Sequence, residues 1–158
     1  MAEGNREALD LVLEETREKM RNQNQNIDAL DNKAAVGLGI AGVMLTLVAS
    51  GKMAGTGTVV IWMQIVGMAF LVLALGCLVV ALWVLDWRFP PKPSALAAWA
   101  NETPEKIKNE LLAKMSEAYD SNAKQLSRKA RWVKVALVLI LLAALLQLVA
   151  IAWATAKP

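Results

Sequence analysis

The chain of 158 residues contains no histidine and only one cysteine. Without histidine, it lacks the side chain that most often acts as a general base near neutral pH and most often ligates a transition metal. A single cysteine cannot form a disulfide within the chain, and Cys77 lies in an apolar segment, where we expect a small packing residue. The sequence has no glycine-rich phosphate loop, no nucleophile beside a base and no metal-ligand cluster. We therefore predict that the protein is not an enzyme and needs no metal or cofactor.

Acidic residues are absent from three long apolar segments, which comprise residues 34–50, 59–85 and 133–154. The hydrocarbon core of a bilayer is about 30 Å thick, and a helix that rises about 1.5 Å per residue needs roughly 20 apolar residues to cross it. The second and third segments meet this length, and the first is shorter but rich in glycine. We therefore predict an all-α membrane protein with three transmembrane helices, a long N-terminal cytoplasmic helix and a cytoplasmic helical segment between spans two and three.

Lysine and arginine residues are distributed unevenly between the two sides of these spans. The N-terminal arm, residues 1–33, contains five and residues 86–134 contain ten, whereas the other side has only Lys52 and Lys157. Positive charge marks cytoplasmic loops, so we predict a cytoplasmic N-terminus and a C-terminus on the outer side. The arm also contains eight acidic residues, which disfavours a cleavable signal peptide. Tryptophans near the span ends agree with this topology, as interfacial aromatic residues: Trp62, Trp83, Trp87, Trp132 and Trp153.

These patterns predict seven consecutive segments along the chain. They are a cytoplasmic amphipathic helix (1–33), span one (34–50), an outer loop (51–58), span two (59–85), a cytoplasmic segment with an amphipathic helix (86–132), span three (133–154) and an outer tail (155–158). The outer loop and tail are short, so a signal that controls the protein is expected to arrive from the cytoplasm.

The N-terminal arm has an apolar seam with alternating spacings of four and three residues, which is typical of a helix that packs on another helix. No proline or glycine interrupts residues 5–36, so we expect one helix that runs directly into span one. Either the arm of another chain or the helix after span two must cover the seam. The seam positions are Leu9, Leu13, Thr16, Met20, Gln23, Ile27, Leu30 and Ala34.

A second cytoplasmic helix is predicted to begin at Pro104, with Thr103 as its N-cap. No helix breaker follows, so this helix is expected to continue into span three. The prolines before it predict a turn at residues 88–94 and a short interfacial helix at 95–100. The apolar stripe of the second helix comprises Ile107, Leu111, Met115, Ala118, Asn122, Gln125 and Lys129.

Away from the ends of the spans, polar residues are few, and they are Thr46, Gln64 and Gln147. Such side chains usually hydrogen-bond to a neighbouring helix, and a pore lining is the alternative. No span carries the ionisable relay or broken helix of a transporter subunit, so conduction would require several chains. The small residues of span one, in Ala35-x-x-x-Gly39 and Gly37-x-x-x-Ala41, would permit close helix contact within the chain or in an oligomer.

Basic and amide side chains near the inner membrane surface are the candidates for binding an anionic ligand. Lysine and arginine can hold a phosphate, and asparagine amides can read the edge of a base. The alternative interpretation is a solvated helix surface that is attracted to anionic lipid. The predicted ligand-binding residues are Asn26, Lys33, Asn122, Lys124, Arg128 and Lys129.

The junction of the arm with span one, residues 26–35 followed by residues 39–42, resembles the membrane effectors of Pycsar, the bacterial pyrimidine-cyclase antiphage system. The family pattern is an Asp-x-Lys-Ala step before a glycine-containing span, and it is matched by Asp31, Lys33 and Ala34. The helix before the last span matches through Tyr119, Lys129 and Arg131. The resemblance implies an inner-membrane effector, with a periplasmic C-terminus, encoded beside a cyclase. The product of that cyclase, cyclic CMP or cyclic UMP, would activate the effector to impair the membrane and kill the infected cell.

Two classes of function therefore follow. In the first, a cyclic pyrimidine nucleotide binds between the arm and the second cytoplasmic helix of a homo-oligomer and changes the packing of the spans. In the second, the chain is a small structural or scaffolding membrane protein whose cytoplasmic helices bind a protein partner. Neither class involves binding of nucleic acid.

Overall fold

The computed structural model describes residues 3–50, 57–83 and 102–156. These ranges contain no strand and form three α-helices: α1 (Glu3–Ala49), α2 (Thr58–Trp83) and α3 (Pro104–Ala156). All three are long and apolar enough to cross a membrane, so the predicted all-α fold with three spanning helices is confirmed. The predicted turn at 88–94, the interfacial helix at 95–100, most of the outer loop, and Lys52, Trp87 and Lys157 lie outside the described residues.

The start of α3 agrees with the capping pattern. The carbonyl of Thr103 accepts a hydrogen bond from the Ile107 N–H (3.1 Å), which makes Thr103 the N-cap and Pro104 the first helical residue. Glu102 forms an ion pair with Lys106 across this turn (2.9 Å). The hydrogen bond and the charge of Glu102 raise the pKa of Lys106. The helix then continues without interruption to Ala156, as the absence of breakers predicts.

The chain divides into two compact units, to each of which α1 and α3 both contribute. Unit 1 comprises Met1–Ala29 and Leu85–Ser127, and unit 2 comprises Leu30–Val84 and Arg128–Pro158. The division falls a few residues before the sequence of each long helix changes from charged to apolar. The cytoplasmic location of unit 1 stays a prediction.

In unit 1, the apolar seam of α1 is covered by α3 of the same chain. Met20 packs with Met115 and Ala118, and all three side chains are buried. Gln23 Nε2 donates a hydrogen bond to the carbonyl of Tyr119 (3.1 Å). At the surface of the same unit, Asp10 and Lys108 form an ion pair. The sequence left two possible covers for the seam, the arm of another chain or the helix after span two. Within unit 1 the cover is that helix, α3.

Small side chains dominate the core of unit 2. Lipid tails are as apolar as leucine, so helices in a bilayer associate through close van der Waals contact rather than through the hydrophobic effect. A Cβ atom added at Gly37 would lie 3.3 Å from Leu78 Cδ1 and 3.6 Å from Leu137 Cδ2, so α1 meets both other helices there. The buried core residues are Ala34, Ala41, Leu71, Ala74, Leu78, Ala81, Val133, Ala136, Ile140 and Ala143.

The two small-residue motifs of span one face in different directions. Ala41 is fully buried and Gly37 is close to α2 and α3, so the motif that they form packs within the chain. Ala35 and Gly39 are exposed, and no atom of the described residues lies within 4 Å of a Cβ built at Gly39. Large apolar side chains such as Val36 (63% exposed) surround this outer motif. That exposure suits a surface that faces lipid and would be unusual in water.

Two of the three polar residues of the spans, Thr46 and Gln147, differ from the prediction in their hydrogen bonds. The Thr46 hydroxyl donates to the carbonyl of Gly42 in its own helix (2.8 Å), not to a neighbouring helix. Gln147 is buried against α2, but neither of its amide atoms has a hydrogen-bond partner among the described residues. A Cβ atom at Gly67 would lie 2.8 Å from Gln147 Nε2. Gly67 therefore provides the space that the amide occupies.

We expect Gly67→Ala to lower the free energy of unfolding by about 1–2 kcal/mol, because the added methyl group overpacks the contact with Gln147. Adding Gln147→Ala should recover most of that loss, since it removes the atoms that the methyl group meets. The measurement is equilibrium unfolding in detergent micelles. Gly76→Ala, where a Cβ has no neighbour within 4 Å, is the matched control. An undiminished loss in the double variant would contradict the assignment of the overpacking to the Gln147 amide.

Candidate functional site

The three residues of the Asp-x-Lys-Ala motif occupy three different environments in unit 2. Asp31 Oδ1 lies 2.5 Å from Lys129 Nζ on α3. Lys33 is exposed to the surroundings, whereas Ala34 is completely buried in the core. Within one turn of α1, Asp31 pairs with a lysine of α3, Lys33 is an exposed cation and Ala34 packs in the core.

Lys129 is the most unusual charged residue in the described part of the chain, because its side chain is only 2% exposed. Burying an unpaired ammonium group costs several kcal/mol, so a counter-charge is required. Asp31 supplies it, although its own side chain remains 40% exposed. The Asp31 Oδ1 atom is buried, and among the described residues the Lys129 ammonium is the partner that it contacts. A ligand could reach Lys129 only if this pair were to rearrange.

The predicted amide residues are divided between the interior and the surface of unit 1. Asn122 is 2% exposed and lies on the buried face of α3, whereas Asn26 is exposed on α1. Gln23 is also buried, and its Oε1 atom has no hydrogen-bond partner among the described residues. Asn122 is already engaged in an interaction within the chain. Of the two predicted amides, Asn26 is therefore the one that a ligand can reach without a change in packing.

The remaining predicted cations are all exposed. Lys124 belongs to unit 1, and Lys33 and Arg128 belong to unit 2. None of these three side chains forms an ion pair with another described residue. They are therefore available to an anion, in contrast to Lys129.

A shallow polar depression runs along α1 in unit 1, but its charge does not suit an anionic ligand. The charged residues that line it are Asp10, Glu14, Glu18, Arg17 and Arg21, and none of the predicted ligand residues takes part. The excess of carboxylates would repel a phosphate. The described ranges contain no group of His, Cys, Asp or Glu that could hold a metal ion.

Sequence reasoning named Asp31 and Lys129 for separate reasons and missed that they form a pair. The signal for the burial of Lys129 was its place on the apolar stripe of α3, after Met115, Ala118 and Asn122. A lysine at such a position needs a carboxylate on the helix that covers the stripe. Asp31 lies beside the seam of α1 and meets this need.

A family model described as the Pycsar effector protein domain matches residues 15–156 of the chain. The match includes both the Asp-x-Lys-Ala motif and Lys129, and it extends over parts of both units. No curated protein and no solved structure matches the chain.

We expect Asp31→Asn to lower the free energy of unfolding by about 3 kcal/mol, because it leaves the Lys129 ammonium buried without a counter-charge. The double variant Asp31→Asn with Lys129→Met should recover most of the stability, since no charge is then buried. Equilibrium unfolding in mixed micelles measures both effects. Asp10→Asn is the control: its pair with Lys108 has side chains 59% and 34% exposed and should contribute no more than about 1 kcal/mol. Equal losses for Asp31→Asn and Asp10→Asn would contradict the role assigned to the buried pair.

Proposed function

Because the chain belongs to the Pycsar effector family and is therefore an antiphage defence effector, we propose that cyclic UMP or cyclic CMP activates it in the inner membrane. The nucleotide comes from a partner cyclase encoded beside the effector. The activated effector impairs the membrane, which results in abortive infection. The family match over residues 15–156 is the observation that carries this proposal.

The exposed cations support the nucleotide part of the proposal. A cyclic nucleotide carries one negative charge on its phosphate, and arginine binds phosphates well because its planar guanidinium donates two parallel hydrogen bonds. Arg128 is exposed, unpaired among the described residues and one residue before Lys129. It is the predicted ligand residue that best combines access with this chemistry.

The buried pair supplies a way for an anion to affect the spans. Lys129 needs a negative partner, but a phosphate satisfies that need as well as a carboxylate does. A nucleotide held first by Arg128 could take the place of Asp31 at Lys129, and α1 would then lose its ionic contact with α3 in unit 2. Switching between two discrete contacts of this kind is how packed helices respond to a ligand. Both helices continue directly into membrane-spanning sequence.

The scaffold alternative has less support from the structure. It requires a free helix face in the cytoplasmic part of the chain to bind a protein partner. In unit 1, however, the seam of α1 is covered by α3, and Met20, Met115 and Ala118 are buried in the contact. A partner would have to displace that contact or bind a polar face.

Activation by the nucleotide is tested with the full chain in liposomes that enclose a self-quenched dye. The nucleotide is supplied on both sides of the membrane. We expect dye release with cyclic UMP or cyclic CMP and none with cyclic AMP. Arg128→Gln should raise the half-maximal nucleotide concentration about 10-fold or more, because a charge-assisted hydrogen bond contributes about 1.5–3 kcal/mol. Arg17→Gln removes the same charge from an exposed position outside the predicted site and should respond as the original chain does. No dye release with either pyrimidine nucleotide, together with no change in melting temperature, would refute the proposal.

The effector is also proposed to act as a homo-oligomer. The outward motif of Ala35 and Gly39 supports this, because small residues on a lipid-facing surface allow another helix to approach closely. Damage to the membrane by several chains also removes the need for a conduction pathway inside one chain.

We expect Gly39→Leu to shift the protein towards monomers, because the larger side chain keeps a second copy of α1 at a distance. The mass of the protein in detergent, measured by light scattering, reports the change. Gly76→Leu is the matched control. Gly76 is also exposed, and no atom of the described residues lies within 4 Å of a Cβ built there, but it lies on α2. An unchanged mass for Gly39→Leu, or an equal loss for both variants, would exclude the outward motif as the contact.

A further inference from the structure

Unit 2 contains an open groove between α1 and α3 with a volume of about 330 Å³. Lys33 from α1 and Lys134 from α3 line one part of it, which we call the head of the groove. Leu137, Val138 and Leu141 line the continuation along α3. These positions share one helical face and extend about 10 Å from Lys134, at about 1.5 Å per residue, into the apolar sequence of the third span. The groove therefore combines a cationic head with an apolar lining that continues along the third span.

The two lysines at the head of the groove are the only charged residues among the described residues that line it. No acidic residue is among the described residues that line the groove. Neither lysine forms an ion pair with another described residue, because Asp31, two residues from Lys33, is already paired with Lys129. Both side chains are exposed. The head of the groove therefore attracts an anion.

A ligand that fits the whole groove must be both anionic and apolar. A free nucleotide or inorganic phosphate could neutralise the lysines but would leave Leu137, Val138 and Leu141 uncovered. A phospholipid fits both the cationic head and the apolar lining. Lysines near a membrane surface reach towards lipid phosphates, while apolar side chains contact the acyl chain. Basic pockets between membrane helices commonly bind such headgroups.

We propose that this groove is a binding site for an anionic glycerophospholipid, whose phosphate lies between Lys33 and Lys134 and whose acyl chain lies along Leu137, Val138 and Leu141. The groove shares Lys33 with the residues predicted to bind the nucleotide, but the binding of a lipid there does not rest on the proposed function. Lys134 and the apolar residues are not among the residues proposed to bind a nucleotide. The lipid thus adds a second anionic ligand, which comes from the membrane itself.

The proposal is tested with the full chain purified in a neutral detergent and titrated with dioleoyl phosphatidylglycerol. Native mass spectrometry measures the retained lipid, and the melting temperature provides a second readout. We expect one lipid to be retained per chain, at an affinity at least 10-fold higher than that for dioleoyl phosphatidylcholine. The double variant Lys33→Gln with Lys134→Gln should lower the affinity about 25-fold, since each lysine near a lipid phosphate contributes about fivefold. Equal affinity for the zwitterionic lipid would overturn the proposal.

Two further arms separate a specific site from general attraction. Arg131→Gln removes a charge three residues before Lys134 but outside the groove lining, and it should leave the affinity unchanged. A loss equal to that of Lys134→Gln would mean that overall charge attracts the lipid.

Val138→Trp should fill the groove and reduce binding although both lysines remain, whereas Val149→Trp, at another exposed valine of α3, should not. Glycerol 1-phosphate should not bind measurably; binding as tight as that of the lipid would identify a free phosphate site instead.

Discussion

The ion pair between Asp31 and Lys129 is the interaction on which the arrangement of unit 2 depends most. A lysine that is almost completely buried cannot be tolerated without a counter-charge. Since Asp31 supplies that charge from α1, the pair fixes the register of α1 against α3. Ala34, one turn after Asp31, and Val133, one turn after Lys129, then both lie in the core of the same unit. The electrostatic contact and the apolar packing thus determine the same helix alignment.

The apolar packing of the three helices in unit 2 has a different physical basis from that of a water-soluble helix bundle. Removing apolar surface from lipid gains little, so contact depends on how closely the helices can approach. Alanines at six of the ten buried core positions and Gly37 at the meeting point of the three helices provide that closeness. Large residues such as Val36 and Leu148 are directed outwards instead. The distribution of side-chain size is therefore the reverse of that in a water-soluble protein with a large-residue core.

Periodicity in the sequence was sufficient to predict the helices and their buried faces. Leu13 and Met20 in α1 and Met115 and Ala118 in α3 are buried where the seams required. Periodicity could not predict which residues far apart in the chain contact each other. Asp31 and Lys129 are separated by nearly a hundred residues, and several other lysines could have met the same carboxylate. The hydroxyl of Thr46 was expected to bond to a neighbouring helix, but it donates to the Gly42 carbonyl of its own helix.

The positive charges of unit 2 divide into a buried, paired lysine and exposed cations that can receive an anion. Lys33 is proposed both for the nucleotide and for the lipid groove, so the two ligands would compete for one ammonium group. Thermodynamic linkage then requires that each ligand weaken the binding of the other by the same factor. An anionic lipid in the groove would raise the nucleotide concentration needed for activation, and loss of that lipid would lower it. The sensitivity of the effector to the nucleotide would in this way depend on the lipid composition of its membrane.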